Sequence, residues 1–120
     1  MQFDRAEIDA LLPLPPATFH ILLALVDQER HGYAIRQDVA ARTNGALKLS
    51  PGTLYGSIRR MLGEGLIVEL SERQRPDEDD ERRRYYRVTA FGRSVAQAEA
   101  TRLATLLRQA KAVGLAPGRA

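Results

Sequence analysis

Cysteine and tryptophan are absent from the 120 residues, and histidine occurs only at His20 and His31. Without cysteine there is no disulfide framework and no thiol nucleophile, and two histidines alone do not make a zinc site of familiar spacing, so no metal or cofactor is expected. A reducing compartment, the cytoplasm, suits such a chain. Long apolar runs are also missing. Phe19 to Val26 falls well short of the ~20 residues of a membrane span, and it follows Pro13, Pro15 and Pro16 rather than a basic leader. Lysine is scarce: of 18 basic residues, only Lys48 and Lys111 are not arginine. Arginine carries a rigid planar fork that suits phosphate or guanine. No glycine-rich phosphate loop follows a strand, and the acidic run Asp77–Glu81 lies in a loop where carboxylates stay hydrated and ionised. An enzyme is therefore not expected.

The pattern that is present is mostly helical. Residues 1–14 read as a polar arm or frayed turn. A first helix is expected from Pro16 to Asp27, apolar almost all round through Phe19, Ile21, Leu22, Leu23, Leu25 and Val26. A helix of that kind is buried on more than one side, one of them a candidate contact with a second subunit. A turn at Gln28–Gly32 leads to a second helix over Tyr33–Arg42, stopped by Thr43-Asn44-Gly45.

The run from Ser50 to Leu62 is the most informative. Ser50 can cap a helix whose first position is Pro51. Leu54, Ile58, Met61 and Leu62 recur at helical spacing and face a core, while Gly52, Thr53, Gly56, Arg59 and Arg60 share the opposite side. Two glycines in a helix cost ~1 kcal/mol each relative to alanine, and what they supply is close approach of the backbone to another surface. A bare, hydroxylated and cationic stripe suits the major groove of double-stranded DNA, with Ser57 also placed to meet a phosphate or a base edge.

Leu66–Leu70 and Arg83–Val88 read as the strands of a hairpin, with Val68 and Leu70 on one face of the first. In the second, Tyr86 and Val88 face inward, and Arg83, Tyr85 and Arg87 face outward. The tip holds Pro76 and Asp77–Glu81. Between Glu72 and Arg87 there are six arginines and six acids, so the hairpin is neutral but polarised along its length. Five carboxylates cannot lie against phosphates, so the stem arginines Arg82, Arg83 and Arg84, with the outward Tyr85, are the expected contacts. Tyr33 and Tyr55 each admit two readings, a half-buried packing role or a hydroxyl aimed at a phosphate. His20 and His31 read as packed and loop histidines.

Thr89 caps a last helix over Ala90–Val113, with Ala96, Ala100, Leu103, Leu106, Leu107, Ala110 and Val113 on one stripe. With Phe19 and Leu22, these residues are the expected contact between two copies of the chain. The expected fold class is mainly α with a small β-hairpin. A winged helix-turn-helix spans residues 15–88, a dimerisation helix spans 89–113 and a flexible tail follows at 114–120.

Three groups of residues carry a family resemblance: His31-Gly32-Tyr33-Ala34-Ile35; Gly52-Thr53-Leu54-Tyr55 with Leu62-Gly63-Glu64-Gly65-Leu66-Ile67; and Arg84-Tyr85-Tyr86-Arg87-Val88-Thr89 with Gly92. Residues 15 to 92 resemble the PadR-like transcriptional regulators, and the single helix beyond them resembles the family's shorter members. The resemblance implies a homodimeric bacterial repressor that binds double-stranded DNA and, in some members, a planar aromatic effector between subunits. The absence of tryptophan departs from relatives that stack a ligand on one. The alternative is a winged-helix module that docks protein through the same helix and hairpin without reading DNA.

Overall fold

The computed structural model describes residues 3–71 and 83–115. Five helices and three short strands follow in the order α1 (Arg5–Asp9), α2 (Pro16–Leu25), β1 (Arg30–His31), α3 (Gly32–Arg42), α4 (Pro51–Gly63), β2 (Ile67–Glu69), β3 (Tyr85–Val88) and α5 (Ala90–Ala112). The sheet is antiparallel with β3 in the centre, in the order β1-β3-β2. A mainly helical chain with a winged hairpin is what the sequence pattern predicts. Among the described residues no helix is long and apolar enough to cross a membrane.

Helix α2 is the centre of the core. It touches α3, α4, α5 and β3 of its own chain, which accounts for apolar residues on nearly every side of it. Leu22, expected at a subunit contact, is 0% exposed inside this core, and Ala96 of α5 is only 8% exposed. Both are consumed by intramolecular packing. Phe19 lies partly buried against the same cluster.

The lead-in is not an arm. Asp4 caps α1 by accepting from the amide of Ala6, Ile8 is buried, and Phe3 meets Phe91 edge-on at 5.2 Å. The segment is docked on α5.

The hairpin register is set by the pairs Ile67↔Val88, Val68↔Arg87 and Glu69↔Tyr86. Paired residues share a face, so Ile67, Tyr86 and Val88 turn inward while Val68 and Arg87 turn out. Val68 and Leu70 share the other face, as the sequence reading has it; Val68 is exposed on it and Leu70 is buried.

The unforeseen strand β1 is tied down by a polar cluster. Arg30 donates to the Ala24 carbonyl at 2.7 Å and lies 3.3 Å from Asp38, which also takes the Arg42 guanidinium at 2.6 Å.

Helix α5 is anchored only along its first half. Thr89 caps it by accepting from the Gly92 amide at 2.9 Å, and Thr89 Oγ1 donates to the Gly65 carbonyl at 2.6 Å. A Cβ at Gly92 would collide with the Leu66 carbonyl. Glu99 is 3% exposed, and both its oxygens accept from Arg102, at 2.7 and 2.8 Å. Arg102 holds the Glu99 carboxyl below its ordinary value of 4.5; burial pushes the other way, and the Leu14 backbone amide adds to the lowering. A depressed folded-state pKa stabilises the fold fully above the unfolded value and loses that contribution as pH falls through the folded value. Glu99→Gln should cost about 1–3 kcal/mol at neutral pH. Urea unfolding followed against pH should show the gap between the two proteins closing below about pH 4.5.

Candidate nucleic-acid interface

Helix α4 begins as its sequence dictates. Ser50 Oγ accepts from the Thr53 amide at 3.1 Å and also bonds Thr53 Oγ1 at 3.1 Å, and Pro51 follows in the first turn. Leu54, Ile58 and Met61 are buried, which fixes the roll of the helix. The opposite side then faces outward: Gly52, Thr53, Arg59 and Arg60 are exposed, and Gly56 and Ser57 are half-buried. A Cβ built on Gly52 or Gly56 meets nothing within 4 Å, and neither backbone is left-handed. The fold gives no reason for glycine at either place.

Beside α4 lies a cleft of about 580 Å³, bounded by α4, the N-terminal end of α3 and the wing strands. Ile58, Leu62 and Tyr86 form its apolar side. Tyr33, Tyr55, Arg59, Arg83 and Arg84 border it. Among the described residues one carboxylate enters, that of Glu69, 3.4 Å from Arg84. Burial, reinforced by Glu69, raises the Tyr86 phenol above its ordinary value of 10.0, so it stays protonated at neutral pH. A second, shallow recess on the outer side of α3 is lined by Tyr33, Arg36, Gln37 and Lys48. Arg36 donates there to the Leu49 carbonyl at 2.8 Å.

Most of the expected contact residues therefore share one side of the molecule, with two exceptions. Tyr85 is not outward but 7% exposed, its ring 5.2 Å from that of His31 and nearly perpendicular to it. The cause is β1, which pairs with the free edge of β3 and sets His31 opposite Tyr85. Arg82, like the acidic tip Asp77–Glu81, lies outside the described residues.

His31 is more than a loop residue. Its Nδ1 caps α3 by accepting from the Ala34 amide at 3.1 Å, and its Nε2 lies 3.2 Å from Arg83. Histidine is not among the residues that signal a cap in a sequence, so the pattern gave no warning. Arg36 and Gln37 on α3 and Lys48 in the loop after it were equally silent, because a polar residue on a short helix or in a loop has no distinguishing period.

Comparison with known proteins bears on the family and the fold. Residues 21–98 match the transcriptional regulator PadR-like family. The transcriptional regulator Rv3488 of Mycobacterium tuberculosis is 32% identical over 90 residues, 75% of this chain and 78% of that protein. An uncharacterized protein of Lysinibacillus sphaericus is 32% identical over 62% of this chain, a stretch that spans 65% of the relative's own length. Among solved structures, a PadR family transcription regulator from hypervirulent Clostridium difficile superposes with a TM-score of 0.67 at 22% identity, covering 82% of this chain and 98% of that one.

If Gly56 serves an external surface, removing it should relieve the fold. Gly56→Ala should raise stability by about 0.5–1 kcal/mol. The check is a higher urea midpoint with an unchanged slope.

Proposed function

The chain belongs to the PadR-like family of transcriptional regulators, and from that premise we propose that it is a homodimeric repressor that lays α4 in the major groove of an operator. The observation that carries this reading is the outer stripe of α4, where two glycines that the fold does not require sit beside Thr53, Arg59 and Arg60. Bare backbone lets the helix approach base edges, and the flanking donors match phosphate oxygens and guanine. The cleft between α4 and the wing is where the adjoining sugar-phosphate backbone would run. Arg59, Arg83 and Arg84 line it together with Tyr33. Lys48 on the far side of α3 extends the cationic surface.

Dimerisation is supported by the second half of α5. Beyond Glu99 no described residue of the helix is buried, yet Leu103, Leu106 (48% exposed), Leu107 and Val113 (74%) keep an apolar stripe with Ala100 and Ala110. A stripe of that kind on a projecting helix is covered by a second copy. Two-fold pairing places two α4 helices about 34 Å apart, one turn of duplex, and makes the operator a near-palindrome. A planar aromatic effector lodged between copies, near Phe19, Leu103 and Leu107, would release the repressor only if it favours one α4 spacing over another.

Operator fragments selected from genomic DNA give the direct test. Arg59→Ala and Arg60→Ala should each weaken binding by about 1–3 kcal/mol. A base-reading arginine relaxes preference at one position. A phosphate-binding one weakens all sites alike and lowers the salt slope by about one. Binding to a protein partner that ignores salt, with no duplex retained, would replace this reading.

The pairing is tested separately. Leu103→Glu with Leu107→Glu should yield a folded monomer by sedimentation equilibrium, with operator affinity falling to that of a single half-site.

A further inference from the structure

We propose that Gly32 and Tyr55 form the joint that sets the distance between α4 and the wing, and that Tyr55 serves duplex binding as a positioning residue. The proposal rests on the reading that α4 and the wing engage one duplex together.

Gly32 is the first residue of α3, buried and without left-handed backbone, so its φ does not demand glycine. Helix propensity alone favours alanine there. What forbids a side chain is Tyr55: a Cβ on Gly32 would lie 2.5 Å from the phenolic oxygen, 3.0 Å from Cζ and 3.1 Å from Cε1. The hydroxyl end of Tyr55 thus rests on the start of α3. Its ring reaches across from the middle of α4 and remains 45% exposed.

Gly32 is in turn fastened to the wing. The two residues before it are β1, paired as Arg30↔Tyr86 and His31↔Tyr85, and the His31 ring packs edge-on against Tyr85. A short chain of contacts therefore runs from Tyr55 through Gly32 and His31 to β3. The wing has a second attachment to α4 through the tight turn after Gly63, where the Leu66 amide donates to the Met61 carbonyl at 3.0 Å. The Leu66 turn holds the cleft at one end, and the contact between Tyr55 and Gly32 sets its opening at the other.

The two residues thus explain one another. Glycine at 32 makes room for a phenol at 55, and the phenol holds the α3–β1 corner at one distance from α4. Tyr55 is in this account a spacer, and the loss of its hydroxyl alone should change little.

The test compares wild type, Tyr55→Phe, Gly32→Ala and the double variant. Affinity for a selected operator is measured together with amide shifts of β3 in the DNA-free protein. Tyr55→Phe should bind within about twofold of wild type. Gly32→Ala should bind about tenfold more weakly while keeping its unfolding midpoint, and should move the Tyr85 and Tyr86 amides. The double variant removes the 2.5 Å clash and leaves the ring carbon at 3.0 Å, so it should recover most of the affinity and the wild-type shifts.

The proposal is overturned if Gly32→Ala leaves the β3 amides unmoved, or if the double variant binds no better than Gly32→Ala. It also fails if Tyr55→Phe alone loses as much as Gly32→Ala, which would make the hydroxyl a duplex contact. Should the wild type bind no duplex at all, the repressor reading falls, and the amide shifts still decide whether the joint couples α4 to the wing.

Discussion

The direction in which α4 points is fixed largely at one carbonyl group. The Leu66 oxygen accepts from the Thr89 amide at 3.0 Å, and Thr89 Oγ1 donates to the neighbouring Gly65 carbonyl at 2.6 Å. On the other side of the same residue, the Leu66 amide donates back to Met61 in the last turn of α4. Gly92 lies against this carbonyl with no room for a methyl group. The end of α4, the start of β2, the end of β3 and the start of α5 therefore meet within one hydrogen-bonding distance. Backbone hydrogen bonds tolerate little change in length or angle. Helix α5 cannot swing relative to α4 without breaking this corner. Pairing of two chains through α5 would thus carry the placement of one α4 rigidly to the other.

The division of apolar surface has the same logic. Helix α2 is enclosed by α3, α4, α5 and β3 of its own chain. Apart from Tyr33, Tyr55 and Val68, the exposed large apolar side chains lie beyond residue 99, at Leu103, Leu106, Leu107, Val113 and Leu115. Glu99 stands at the border. A buried carboxylate is costly unless its lone pairs are used, and here Arg102 supplies two donors and the docked lead-in supplies the Leu14 amide. The lead-in is held against α5 chiefly by apolar contact, with Phe3 on Phe91 and with Ile8 and Leu14 buried.

Legibility in the sequence follows the range of the interaction. Helices α2 to α5 announce themselves through local period, and the caps at Ser50 and Thr89 through a hydroxyl before a helical run, so α4 and its outer stripe could be read directly. β1 could not. Two residues carry no alternation, and their strand character comes only from partners 54 or more positions away in Tyr85 and Tyr86. Once β1 was missed, Tyr85 was assigned to solvent, since alternation alone places it with Arg83 and Arg87. Which face of β2 turns inward was hidden for another reason. Leu66, Ile67, Val68 and Leu70 are apolar on both faces, so the pattern does not choose between them; pairing with Val88 does. Leu22 and Ala96 were misassigned because periodicity reports that a face is covered but not by whose residues.

The glycines carry this argument one step further, because identical residues here answer to three different demands. Gly45, Gly65 and Gly114 have positive φ, at 81°, 76° and 89°, and end helices in a conformation that other residues resist. Gly32 and Gly92 have ordinary backbone but no free volume: a phenol fills one site and a carbonyl the other. Gly52 and Gly56 have ordinary backbone and open space, so neither demand applies, and Gly63 at the end of α4 shares that condition. For the first two groups the cost of glycine is offset inside the chain. For the third, nothing within the described residues offsets it, which is the cost that the proposed duplex contact would offset. That asymmetry sets α4 apart from an ordinary solvated helix, which would gain stability from alanine at both positions and lose nothing.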